Sequence, residues 1–377
     1  MTHWTRRHFM IGSAAALLGK HAFAGSGNST GNSIGIDSSD VIGADNPVVD
    51  AFVKAQPFYG VVMLGKRGKP TYVRAIGMAN IEEQKPLRAD TPFAIASISK
   101  WLTSVTVLRL VEMGKLDLDV PIKRYLPAHR VDTGGKVTLR HLLSNASGIP
   151  NQFISMIKAD RSLFTASMTT AQAMQQFCQG ESIFPPGSKF DYALTNWIIV
   201  VGIVEAVTGQ PFQQAMRNIT LDPLKLSATR ADQAYADDAA TAVPYATINP
   251  PARKTDVRQP YMAAAGGYYS TADDLMKAAQ AIFNQGFITP ASLAQLTHIE
   301  VDSENYALGG RVKNLQIAGQ SHRFGWETGR TTGYRSVLGH RLDGEDTVII
   351  LNNTDMSQKT MDEFAYSLLG ASQLPAA

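Results

Sequence analysis

Thr91 to Pro127 read TPFAIASISKWLTSVTVLRLVEMGKLDLDVPIKRYLP, and how this stretch folds governs the reading of its surroundings. It opens on Thr91-Pro92, a pairing that disfavours helix at the residue before proline. From Ser97 onward the pattern turns helical, with Leu102, Val105, Leu108 and Met113 close to one stripe. Gly114 suits a C-cap and Lys115 a helix end. The spacing therefore predicts Ser97 at or near the N-terminus of a buried helix, with Lys100 on the same face one turn deeper. An ammonium in a dry site gives up its proton more readily than one in water. The unpaired N–H groups and the dipole at the helix start favour an oxyanion forming at Ser97. A serine and a lysine three apart also recur by chance, as in Ser155-Met156-Ile157-Lys158. Only Ser97 opens a long apolar helix straight after an extended segment.

The 377 residues, 44% hydrophobic and 18% charged, fit a globular protein of one or two domains. The first residues stand apart. Thr5-Arg6-Arg7-His8-Phe9-Met10 is a twin-arginine pattern, a short apolar run follows from Ile11 to Leu18, and Ala22-Phe23-Ala24 reads as a cleavage site. Residues 1–24 are expected to be a signal peptide for export to a bacterial periplasm, and residues 25–47 a flexible linker rich in Gly, Ser, Asn and Asp. The apolar run is too short for a stable membrane anchor. Residues 1–24 hold Arg6, Arg7 and Lys20 and no acid, so the remainder carries 32 basic against 32 acidic residues. That balance leaves no basic footprint for nucleic acid. Cys178 is the single cysteine, which rules out an internal disulfide. His129, His141, His298, His322 and His340 lack ligand spacing, so no metal and no cofactor is expected. None of them sits in a recognisable Ser-His-Asp context either.

A short helix is expected over Val48–Ala55, then strands over Tyr59–Leu64 and Pro70–Gly77 joined by a Gly-Lys-Arg-Gly turn. Residues 160–178 read as a polar-faced helix. Asn196–Thr208 is apolar on nearly every side and marks the centre of a helical domain, with Gly209 as its cap. Residues 231–259 look like loop, Ala263–Gly267 like a small-residue strand or loop, and Ser270-Thr271-Ala272-Asp273 like a helix start. Tyr334–Leu342 and Thr347–Leu351 flank Asp343-Gly344 as a hairpin, and a last helix spans Gln358–Leu369. Strands at both ends and helices between them predict an α+β fold in which the two ends share one sheet. Gly27-Asn28-Ser29-Thr30-Gly31 matches a nucleophile elbow but lacks the strand before and the helix after it. Gly266-Gly267 reads as a close-packed turn rather than a phosphate cradle.

Three stretches then fall in order: Ser97-Ile98-Ser99-Lys100, Tyr192-Ala193-Leu194 and Glu327-Thr328-Gly329. With Leu142 to Gly148, Pro186-Gly187, Val204 to Gly209 and Ala265-Gly266-Gly267 around them, they resemble the serine β-lactamase and penicillin-binding protein superfamily, in its class C-like branch. The resemblance spans about Tyr59 to Gly370. It implies an antiparallel sheet domain (48–115 and 263–377) flanked by helices, with an inserted all-helical domain (116–262). It also implies a serine hydrolase of the esterase, amidase, D-aminopeptidase or D,D-carboxypeptidase type. Ser97 would carry the acyl group, and Lys100 and Tyr192 would manage its proton, with Tyr192 partly ionised by Lys100. The backbone N–H groups of Ser97 and Arg330 would hold the oxyanion, and Glu327, Thr328 and Gly329 would border the substrate, a small molecule or peptide.

Two departures from the family pattern bear on specificity. Leu194 stands where relatives often carry an asparagine that orients substrate; Asn196, two further on, would point elsewhere from a helix. Glu327 stands where a lysine or histidine usually begins the third motif, and a carboxylate there would repel an anionic substrate group. Arg330 or Arg335 would then have to compensate, or Glu327 would be a surface carboxylate paired with Arg330 or Arg323. These departures favour neutral or amine-bearing acyl donors. They leave two alternatives, a β-lactamase proper and a non-catalytic binder of penicillin or cell-wall fragments.

Overall fold

The computed structural model describes residues 41–43, 45–231, 237–255 and 257–373. The expected signal peptide and most of the expected linker lie outside them. The main sheet takes its strands from the two ends of the described chain. Val41–Ile42 (β1), Gly60–Lys66 (β2) and Lys69–Ile76 (β3) come from one end. Arg311–Ile317 (β4), Gln320–Thr331 (β5), Tyr334–Arg341 (β6), Asp346–Asn352 (β7) and Ala371–Gln373 (β8) come from the other. They pair antiparallel in the order β1-β3-β2-β7-β6-β5-β4-β8. The turn between β2 and β3 places Arg67 (φ 54°) and Gly68 (φ 66°) in the left-handed region, the geometry a tight hairpin demands.

Side chains alternate between the two faces, and both faces are covered. Val62, Phe324, Trp326, Val337, Val348 and Ile350 pack against Pro47–Ala55 (α1) and Gln358–Leu369 (α5), where Phe52 stacks on Phe364 with ring centroids 3.7 Å apart. Val61, Met63, Leu338, Ile349 and Leu351 face the opposite core, which includes residues of Ser99–Glu112 (α2), Leu194–Thr208 (α3) and Ala272–Phe283 (α4). Every residue of α3 from Thr195 to Val204 is buried, as its all-round apolar pattern predicts. Gly209 ends it at φ 67°.

Several boundaries differ from the sequence expectation. Residues 160–178 hold a 3-10 turn at Arg161–Phe164 and a separate helix at Thr170–Phe177, because Asp160 and Thr169 each cap a new start. Ala263–Gly266 is a short helix rather than a strand. Within the expected loop, Tyr245–Ile248 and Pro251–Arg253 pair as a small hairpin.

Candidate active site

The extended segment ending at Ala94 turns abruptly into α2. Ala96 has φ 46°, a conformation that costs a residue with a Cβ, and Ala96–Ile98 form a 3-10 turn leading into Ser99. Ser97 rides on this turn, just before the helix. The turn is held from the sheet side, where Ser336 Oγ of β6 donates to the Ile95 carbonyl at 2.9 Å. A Cβ on Gly329 would come within 2.2 Å of that same carbonyl oxygen, so only glycine lets β5 pass this closely.

Lys100 is fully buried, three residues on. Its Nζ donates to Ser97 Oγ at 3.0 Å and to the carbonyl of Ala265. Tyr192, from the loop before α3, brings its hydroxyl to 2.7 Å from Ser97 Oγ. Its carbonyl accepts from Asn151 Nδ2 at 3.2 Å, and its ring packs edge-on to Tyr306 with centroids 6.3 Å apart. The Lys100 ammonium also sits 5.0 Å from the Tyr192 ring centroid and 5.4 Å from that of Trp197. Two stretches 95 residues apart thus meet on one hydroxyl.

Burial sets the proton balance. Desolvation pulls the Lys100 ammonium down from 10.5 to about 7, against the pull of the Glu327 carboxylate and with the help of Arg311. Desolvation pushes the Tyr192 phenol up from 10.0, and the Glu327 carboxylate adds to this. The expected partly ionised Tyr192 therefore runs against its surroundings, which favour a neutral phenol. Such an arrangement can take a proton from Ser97 onto neutral Lys100 while Tyr192 offers a hydroxyl to the departing group.

A cleft of about 210 Å³ opens in front of Ser97. Phe153, Ile154, Phe164, Leu194, Val257 and Met262 give it an apolar wall, and Ala265, Gly266, Gly267 and Arg330 also border it. Leu194 lines the cleft, at the position where the resemblance leads one to expect an asparagine. Asn196 is buried behind, accepting from Ser147 Oγ at 2.6 Å and donating to Asn145 Oδ1 at 3.4 Å, so it does not replace that amide.

Glu327 and Thr328 are absent from the cleft lining. Glu327 is 1% exposed, with its Oε2 3.6 Å from Arg311. It is neither a surface carboxylate nor a partner of Arg330 or Arg323, and Arg335 is engaged by Asp355 at 3.0 Å. The expected repulsion of an anionic substrate group would therefore come from a buried carboxylate paired with Arg311, not from an exposed one. Three contributors escaped the sequence reading: the Ala265 carbonyl, Tyr306 and Arg311. A backbone oxygen leaves no signature in a sequence, and Arg311 sits in a strand too polar to stand out.

The sequence model described as Beta-lactamase matches residues 46–370. The chain belongs to the beta-lactamase family. Among curated relatives of this family member, esterase EstB of Burkholderia gladioli is 29% identical over 296 residues, covering 69% of this chain and 74% of the relative. A penicillin-binding protein from Bacillus halodurans superposes with a TM-score of 0.74 at 23% identity, over 86% of this chain and all (100%) of that one. D-amino acid amidase from Ochrobactrum anthropi SV3 gives 0.70 at 20% identity, over 86% and 98%. The fold is the one these proteins share, and this beta-lactamase family member is a serine hydrolase.

Proposed function

We propose that the protein cleaves esters of uncharged, apolar carboxylic acids through an acyl-enzyme on Ser97. The observation that carries this reading is the apolar share of the cleft lining, Phe153, Ile154, Phe164, Leu194, Val257 and Met262. The same cleft holds a hydroxyl bonded to both Lys100 and Tyr192, and its polar lining is Arg258, Gln259, Arg330 and Thr331. The apolar share offers buried area to an alkyl or aryl acyl group.

In the proposed cycle Lys100, neutral in a substantial fraction near pH 7, takes the Ser97 proton as Oγ bonds to the acyl carbon. The developing oxyanion lies between the N–H groups of Ser97 and Arg330, both of which border the cleft. The proton that Lys100 has taken is relayed through Tyr192 to the leaving oxygen as its bond to the acyl carbon breaks, so both groups end neutral. Water then adds to the acyl carbon, Lys100 takes the water's proton, and Ser97 Oγ recovers a proton as the acid departs. Gly329 lets β5 pass close to the turn that carries Ser97, and Glu327 stands buried beside it on the same strand. The twin-arginine leader supports export to a periplasm as the setting. The placement of the sheet strands supports a sheet domain of residues 48–115 and 263–377 with residues 116–262 inserted.

The test is labelling with a fluorophosphonate, followed by turnover of p-nitrophenyl butyrate and nitrocefin. Labelling of the wild type that is lost in Ser97→Ala, with ester turnover well above nitrocefin turnover, is the expected result. Binding of a fluorescent penicillin with no adduct on Ser97 would instead mark a receptor for cell-wall fragments. Efficient nitrocefin cleavage would mark a β-lactamase.

A further inference from the structure

Glu327 is the largest departure from the family pattern, and the structure gives it surroundings that the pattern does not explain. On β5 it is paired with Leu338 of β6, which belongs to the core on the α2 side, whereas its neighbour Trp326 belongs to the core on the α5 side. Glu327 therefore points toward α2 and Lys100. β4 begins at Arg311, opposite Trp326, so β5 has no β4 neighbour from Glu327 onward. Arg311 reaches Glu327 at that end of the pairing.

The carboxylate is held by an ion pair rather than by a hydrogen bond to its Oε2. Its Oε2 is buried and receives no hydrogen bond from a described residue; Arg311 at 3.6 Å is its ion-pair partner. Arg311 is itself fixed, its guanidinium 5.1 Å from the Tyr306 ring centroid and 3.7 Å from Glu304. Tyr306 in turn braces Tyr192. The charged and titratable groups whose fields reach Glu327 are Arg311, its ion-pair partner at 3.6 Å, with Lys100 from α2, Lys313 from β4, Asp362 from α5, and Tyr192 and Tyr306 from the loops before α3 and β4. A lysine at position 327 would make a third cation beside Lys100 and Arg311. Glu327 brings the opposite sign to the same buried volume.

We infer that Glu327 is a positioning residue for the reacting proton: its buried carboxylate, anchored by Arg311, stabilises the ammonium that forms on Lys100 when Ser97 attacks. The inference rests on Ser97 and Lys100 acting as nucleophile and base. In the step itself the Ser97 O–H bond breaks, its proton passes to Lys100 Nζ, and Oγ bonds to the acyl carbon as the carbonyl π pair moves onto oxygen. Collapse breaks the bond to the leaving oxygen, which receives the proton held on Lys100 by way of the Tyr192 hydroxyl. Glu327 makes and breaks no bond. It acts through the electrostatic balance of Lys100, which burial opposes, Glu327 favours and Arg311 opposes. Burial likewise lifts Glu327, to about 7, so the two groups titrate as a pair.

The experiment is the pH dependence of kcat and KM for p-nitrophenyl butyrate in wild type, Glu327→Gln, Glu327→Asp and Arg311→Gln, each checked for folding by thermal melting. Without the carboxylate, Lys100 holds its proton less well, so the acid limb of Glu327→Gln moves down by roughly one pH unit. Its plateau kcat falls at least roughly tenfold with KM little changed, because Glu327 does not line the cleft. Glu327→Asp restores part of kcat. Arg311→Gln moves the acid limb the opposite way, upward. An unmoved limb in folded Glu327→Gln, or shifts of one sign in both variants, overturns the inference. Should Glu327→Gln not fold, the double variant Glu327→Gln/Arg311→Gln, which removes both charges of the pair, takes its place, and an acid limb there no lower than in Arg311→Gln overturns the inference. Wild type that fails to react with fluorophosphonate sinks the hydrolase reading itself, a result distinct from all of these.

Discussion

Lys100 Nζ lies 3.0 Å from Ser97 Oγ and spends a second donor on the Ala265 carbonyl, while the lysine itself has no exposure to solvent. The lysine is thus aimed by a backbone oxygen 165 residues away, and its charge is disfavoured by the burial that aims it.

That conflict predicts a stability cost. The Lys100 pKa falls from 10.5 to about 7 on folding, so between those values the unfolded chain binds more protons and this group makes stability rise with pH. Below about pH 7 the cost is fully present. Lys100→Met removes it while abolishing turnover. The variant is expected to melt above wild type at pH 7, with the gap closing toward pH 10. Melting curves across that range check it, and a gap that is constant or reversed refutes the account.

Tyr192→Phe leaves the ring packing on Tyr306 intact and removes only the hydroxyl bonded to Ser97. Turnover of p-nitrophenyl butyrate should fall by roughly a hundredfold or more with little change in melting temperature. A neutral phenol also implies that wild-type activity shows no loss attributable to Tyr192 below about pH 10. Steady-state rates from pH 6 to 10 test both statements.

Gly329→Ala sets a methyl against the Ile95 carbonyl and Ser336 Oγ, each 2.2 Å from its position. Because the contact is with the turn that carries Ser97, both properties should suffer together. The expected loss is about 1–3 kcal/mol in urea unfolding, with kcat reduced more than KM is raised.

Leu194→Trp fills the cleft from its apolar wall. Preference among p-nitrophenyl acetate, butyrate and octanoate should swing toward acetate, each excluded methylene group being worth about 1–3 kcal/mol. Comparing kcat/KM across the three esters measures the swing; an unchanged order would place the acyl group elsewhere.

Much of this was legible because it is local. The Ser97–Lys100 spacing, the Tyr192 loop and the all-round apolar helix after it each carry their meaning within a few residues. The hairpin at Asp343-Gly344 and the last helix read equally well. β4 and β5 did not: RVKNLQI and QSHRFGWETGRT alternate weakly, since Lys313 sets its ammonium 5.1 Å from the Trp326 ring centroid and donates to Tyr366 Oη at 2.8 Å. The Glu327–Arg311 pair depends on that hairpin, so its burial could not be read before the hairpin was known. The left-handed Ala96 was hidden too, because alanine gives no hint of a conformation usually left to glycine.

The sheet order has a bearing on biosynthesis. Strand β2 is flanked by β3 on one side and by β7, residues 346–352, on the other. A nascent chain paused before residue 346 has made its serine and its lysine but leaves the Val61–Leu64 edge without its neighbour. Such a polypeptide presents an open template for other strands until residues 346–352 emerge. Arrival of that late strand, rather than synthesis of the reactive residues, then closes the sheet.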